Sequence, residues 1–189
     1  MRTSFSRGLL AAAFAILLAG CAGAPEGAEP VRGFEVERYM GRWHEIARLD
    51  HRFERGLEQV TATYALNQDG TVSVLNKGYD PAKDKWSQAE GRAKFVGAQD
   101  VGALKVSFFG PFYGAYNVID LDPDYQRALV VGPNLSYLWI LARAPSLPRD
   151  ELERLVAKAR SLGFDTASLV YVRQCAAGGG GADCQAASP

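Results

Sequence analysis

The most constraining feature of this chain is a period of two that runs from residue 42 to residue 131. Short runs alternate apolar and polar residues between turn residues, the pattern of half-buried strands rather than of helices, whose apolar period is 3.6. The runs are 43–49, 60–66, 71–76, 86–96, 104–108, 116–121, 127–132 and 137–143. Asn67-Gln68-Asp69-Gly70, Asp80-Pro81 and Asp122-Pro123-Asp124 supply turns between them. Gly91 inside the fourth run predicts a bend or bulge. Strands in sequence, joined by short links with no helix between them, predict an all-β fold: an eight-stranded antiparallel up-and-down β-barrel. Eight strands can close and still leave room for one small ligand, or can be filled solid by their own side chains.

One helix follows the strands. Pro148 suits its first turn, acidic residues follow, and Gly163 marks its end. Leu152, Leu155, Val156, Ala159 and Leu162 form one apolar stripe. That stripe must pack on the outside of the barrel. Residues 168–172 predict a short ninth strand beside the first.

The two ends read differently. Arg2 and Arg7 precede an apolar run over residues 8–20, too short to span a bilayer well and typical of a secretory signal. The run ends Leu18-Ala19-Gly20-Cys21, which resembles a bacterial lipobox and implies that Cys21 is lipidated and becomes the first mature residue. Ala22 after it, rather than Asp, resembles the signal for the outer membrane, with the domain facing the periplasm. Residues 21–32 read as a flexible tether, long enough to hold the domain roughly 30 Å from the headgroups. The domain is expected over 33–174 and a Gly-rich tail over 175–189. Cys175 and Cys184 flank a Gly-rich loop and are expected to pair, since two Cys without a nearby His make a poor metal site. The chain carries 21 basic and 21 acidic residues. Losing Arg2 and Arg7 with the leader leaves a slight acidic excess, which argues against nucleic acid as a partner.

Three short motifs carry a family resemblance. Gly41-Arg42-Trp43, the Asp122-Pro123-Asp124-Tyr125 turn, and Leu138 to Arg143 resemble the three lipocalin motifs, in order and at the family's spacing. The wording of residues 45–57 and 104–118 is similar to the bacterial outer-membrane branch of that family. Residues 175–184 depart from it, and His44 stands where Tyr is usual. The resemblance implies that Gly41, Trp43, Asp124, Tyr125 and Arg143 are structural, with Arg143 lying over the Trp43 ring at the closed end.

Alternation then sorts wall from surface. Lys105 and Ser107 face out, so Leu104, Val106 and Phe108 face in. Arg92 and Lys94 face out, which turns Gly91, Ala93 and Phe95 inward. Thr61 and Thr63 leave Ala62 and Tyr64 inside. The resemblance adds Val74, Asn76, Tyr116, Val118, Trp139 and Leu141. The expected ligand-binding set is thus Ala62, Tyr64, Val74, Asn76, Ala93, Phe95, Val106, Phe108, Tyr116, Val118, Trp139 and Leu141, an apolar wall with a few polar tips. The implied partner is a fatty acid or a lysophospholipid. The basic residues of loop 50–56 could meet its head group, or be a solvated face. Phe109, Phe112 and Tyr113 could meet a membrane, gate the mouth or form a homodimer face.

No cofactor or metal is expected, and no enzyme. The chain has two His and no phosphate loop or nucleophile elbow. Glu45, on the face of Trp43, reads as a buried carboxylate with a raised pKa and a structural partner. A structural envelope lipoprotein without ligand is the rival reading, and a lipid-modifying enzyme the third.

Overall fold

The computed structural model describes residues 23–175 and 184–186. The leader 1–20, Cys21 with its expected lipidation, Ala22 with its sorting signal, and the tail residues 176–183 and 187–189 lie outside the described residues. A single turn of helix, α1 (Val36–Tyr39), precedes strand β1 (Gly41–Arg48). Then follow β2 (Glu58–Leu66), β3 (Val72–Asp80), β4 (Lys85–Phe95) and β5 (Ala103–Phe109). Strands β6 (Phe112–Leu121), β7 (Arg127–Val131) and β8 (Leu138–Ala142) complete the meander. Each strand pairs antiparallel with the next, and β1 pairs with both β2 and β8, so the sheet closes into an eight-stranded barrel. Among the described residues closure removes most of the free edge, leaving residues 85–91 of β4 without a partner on β5.

Helix α2 (Arg149–Ser161) lies outside the barrel, as its stripe requires. Leu152, Leu155, Val156 and Ala159 are buried against Ile46, Ile119, Leu129 and Ile140, the outward residues of their strands. Lys158 fastens it by donating to the Ile119 carbonyl at 2.9 Å and the Asp120 carboxylate at 2.8 Å. A short β9 (Val170–Tyr171) pairs beside β1.

The structure departs from the sequence reading at three places. Residues 23–32 do not stand free as a tether. The Val31 N–H donates to the Val118 carbonyl, the Gly102 N–H donates to the Val31 carbonyl, and Ala28 is buried beside the helix. Apolar Ala28 and Val31 find a ready surface there, and burial wins over chain freedom. Beyond the barrel, where only a Gly-rich tail was expected, β10 (Arg173–Cys175) pairs with β11 (Cys184–Ala186), and Cys175 and Cys184 form the disulfide that the sequence led one to expect. Buried Gln174 ties this hairpin down by donating to the carbonyls of Glu45 and Val60. Gly91, finally, sits in unbroken register with Val74 and makes no bulge. It is glycine because a Cβ there would meet the Phe108 ring at 2.8 Å. The β4–β5 ladder stops next to it, at Arg92 opposite Ser107.

Candidate functional site

The closed end is built from the three motifs. Trp43 is fully buried, and its indole N–H donates to the Tyr39 carbonyl at 2.8 Å. The Arg143 guanidinium lies 4.0 Å above the Trp43 ring. It also donates to the carbonyls of Arg38, Arg42 and Tyr125, so it sews α1, β1 and the β6–β7 turn together. Gly41 has φ +91°, and a Cβ there would crowd the guanidinium at 3.3 Å. In the turn, the Tyr125 N–H donates to the Asp122 carbonyl, and its hydroxyl accepts from the Glu35 N–H. Asp124 is exposed.

Above this plug is a cavity of about 830 Å³. Its wall includes Ala62, Tyr64, Val74, Asn76, Ala93, Val106, Phe108, Tyr116, Trp139 and Leu141. Phe95 and Val118, expected on the wall, do not reach it. Both pack lower, in the cluster with Phe34 and Tyr125, because the N-terminal segment fills the base. On the floor the hydroxyls of Tyr39, Tyr116 and Tyr64 form a chain at 2.8 and 2.9 Å. Burial pushes all three well above the usual tyrosine range, so they stay neutral. The Asn76 amide oxygen is buried on the wall without a hydrogen-bond partner.

The upper wall carries charge. Arg48 donates to Glu45 at 2.7 Å and to the Glu54 carbonyl at 2.7 Å. Its Nε stands 4.0 Å from the Glu54 carboxylate, which accepts from the Trp139 indole at 3.1 Å. Burial, and next the like charge of Glu54, raise the Glu45 carboxyl to about 8. Burial raises Glu54 too, and lowers the neighbouring His51 imidazole. His51 is stacked between Phe53 and Tyr137, with ring centroids 5.2 and 4.7 Å away. Two carboxylates thus share one cation, and the site favours a single bound proton.

A model of the lipocalin-like domain matches residues 34–174. The chain belongs to the lipocalin family. It is 52% identical over 160 residues to the outer membrane lipoprotein Blc of Vibrio cholerae, covering 84% of this chain and 94% of that one. It is equally identical over 163 residues to Blc of Escherichia coli K12, with 86% and 92% covered. Temperature-induced lipocalin-1 of Arabidopsis thaliana is 42% identical over 151 residues, covering 75% of this chain and 80% of that one. Among solved structures, insecticyanin of the tobacco hornworm superposes with a TM-score of 0.65 at 19% identity, covering 84% and 87% of the two chains, a likeness of fold.

Within this lipocalin, Glu45 is the buried carboxylate with a raised pKa that the sequence led one to expect, but sequence reasoning missed Arg48 and Glu54 beside it. The sequence of loop 50–56 offers basic residues, either to a head group or to solvent. In the fold Arg55 turns outward to Asp50 at 2.6 Å, while Glu54 turns in. One bulge explains Arg48. The β1–β8 register shifts between Glu45 and Ala47, which resets the alternation and sends Arg48 inside. The neighbouring Trp139 was the available signal, since a buried indole N–H needs an acceptor. Among the described residues no group of three or more His, Cys, Asp or Glu is placed to hold a metal ion.

Proposed function

We propose that this lipocalin is an outer-membrane lipoprotein, anchored through Cys21, that carries one fatty acid or lysophospholipid with its tail in the barrel. The carrying observation is the 830 Å³ cavity with an apolar wall and its charged groups near the open end. The polar floor argues for tail-first entry, because the tyrosine hydroxyls bond one another rather than awaiting a head group. Burying about sixteen methylenes at ~0.8 kcal/mol each gives a gross gain near 12 kcal/mol, of which ordering and association consume much. The relatives named as outer membrane lipoproteins support the anchor. With one proton shared by Glu45 and Glu54 and one cation on Arg48, the cluster carries no net charge, so it does not choose between the two lipids by charge.

The test is lipid uptake by the delipidated full chain, read by native mass spectrometry with palmitate and lysophosphatidylethanolamine in competition. The expected result is one lipid per chain, the competition showing which of the two is preferred. Val106→Asp and Phe108→Asp, placed on the wall, should abolish uptake while far-UV circular dichroism stays unchanged. Uptake of neither lipid would sink the carrier reading in favour of a ligand-free envelope lipoprotein. Turnover of bound lipid would instead make it an enzyme.

A further inference from the structure

We propose that the Cys175–Cys184 disulfide is a redox clasp on the wall of the lipid chamber. Closed, it holds Gln174 across a split between β1 and β2. Opened by thiol–disulfide exchange with a dithiol, it frees the split and speeds the exchange of bound lipid. The effect on lipid rests on the carrier reading; the opening of the seam stands apart from it.

Three observations carry it. The first is the split itself. The β1–β2 ladder runs from Gly41 opposite Tyr64 to His44 opposite Thr61 and ends there. Beyond that level both strands are irregular. The β1–β8 register shifts between Glu45 and Ala47, and the β2–β3 register shifts between Glu58 and Thr61. Gln59 has φ +51°, a strained value for a residue with a Cβ. The other edge of β1 is paired with β8, so the edge that leaves β2 is taken at Ala47 and Arg48 by β9. The Val172 N–H then donates to the Ile46 carbonyl. Glu45, Val60 and Thr61, which flank the split, line the cavity, so the split is a stretch of chamber wall.

The second is what closes it. The Gln174 amide nitrogen donates to the Glu45 carbonyl on β1 at 2.8 Å and to the Val60 carbonyl on β2 at 2.9 Å. Its oxygen accepts from His44 Nδ1 at 3.3 Å. One buried side chain thus stands where a rung of the ladder is missing. Withdrawing it takes a donor from each of two carbonyls, and water entering an open seam is the replacement.

The third is the fastening of Gln174. It belongs to β10, which is joined to β11 by three rungs and by the disulfide, across a separation of nine residues. A two-stranded ribbon is marginal in water on its own. The ion pair of Arg173 with Glu58, at 3.9 Å, faces solvent and contributes little. The cross-link favours the closed ribbon by roughly a hundredfold, the chain-entropy value for a loop of about ten residues. Cys175 and Cys184 are half-buried rather than sealed, so a small dithiol reaches them. One thiolate of the dithiol attacks either sulfur, and the other sulfur leaves as thiolate. The second thiolate of the dithiol then displaces the remaining protein sulfur, so the protein gains two electrons and the reductant departs as a disulfide. With the ribbon open, the chain past Val172 regains its freedom and Gln174 is drawn off the seam. His44 and residues 175–184, the two places where the sequence departs from its family's wording, meet here.

The experiment compares the full chain oxidised and after treatment with dithiothreitol. Hydrogen exchange read by mass spectrometry follows the seam over residues 44–48 and 58–61. Release of a pyrene-labelled fatty acid to phosphatidylethanolamine vesicles follows lipid exchange. Reduction should raise both by roughly tenfold to a hundredfold, the upper figure being the whole bias of the cross-link, while residues 104–108 on β5 stay unchanged. Gln174→Ala should give the same pattern with the disulfide intact, which a disulfide that merely staples the tail would not predict. Gln174→Met serves should Gln174→Ala not fold. Seam exchange that reduction leaves unchanged, or that rises equally all round the barrel, overturns the clasp. A seam that opens while release keeps its oxidised rate overturns its part in lipid exchange. A chain that takes up no probe overturns the carrier reading, and the hydrogen exchange of the same sample still decides whether the seam is clasped.

Discussion

Arg48 donates to Glu45 at 2.7 Å inside the barrel, and both side chains are sealed from solvent. Glu54 completes the cluster from the mouth loop. A cation shared in this way is hard to remove, because its loss leaves two buried carboxyl groups facing each other. Arg48→Met should lower stability by about 3–5 kcal/mol in urea unfolding. The double change Arg48→Met with Glu45→Gln should recover most of that loss. If Arg48→Met alone costs less than ~1 kcal/mol, the cluster is not held by its cation.

The same cluster predicts a pH dependence. Burial and the charge of Glu54 raise Glu45 to about 8 in the fold, whereas an unfolded glutamate titrates near ~4.3. Between those values the folded chain holds a proton that the unfolded chain has lost. The stabilising contribution is therefore fully present below the unfolded pKa and is lost as pH rises toward 8. Urea midpoints taken across this window should fall with pH, and Glu45→Gln should flatten the fall. An unchanged slope in Glu45→Gln would assign the effect elsewhere.

Arg143 combines a stack on Trp43 with hydrogen bonds to three carbonyls. Arg143→Ala should cost about 2–4 kcal/mol. Arg143→Lys should restore little, since an ammonium cannot reach all three carbonyls while lying flat on the ring. Recovery of full stability by the lysine variant would show that charge alone matters there.

Tyr116 is bonded to both Tyr39 and Tyr64 on the cavity floor. Tyr116→Phe should destabilise the fold by about 1–3 kcal/mol, because two buried hydroxyls lose their partner. With the lipid tail pointing down, uptake should stay within about threefold of the parent, a change of well under 1 kcal/mol in binding. A much larger loss of affinity would place the head group on the floor instead.

The family motifs and the alternation were enough to locate most of the cavity wall. Ala62, Val74, Val106 and Leu141 each lie where strict alternation or motif resemblance puts them, because a strand without a bulge keeps every second residue on one face. Arg143 over Trp43 was legible for a different reason. Two bulky, complementary side chains at the ends of neighbouring strands, β1 and β8, have few other partners at a closed barrel end.

What the sequence alone determined was the period, and with it the strands, the barrel and the greasy inner face. Tertiary structure decided the rest. A single bulge in β1 turned Arg48 inward, the mouth loop swung Glu54 rather than Arg55 toward the cavity, and residues 23–32 lay down along β6. Periodicity fixes only neighbours within one strand. Phase shifts, loop directions and the docking of an end segment depend on contacts between residues far apart in the chain, such as Val31 with Val118, and those exist only once the barrel has closed.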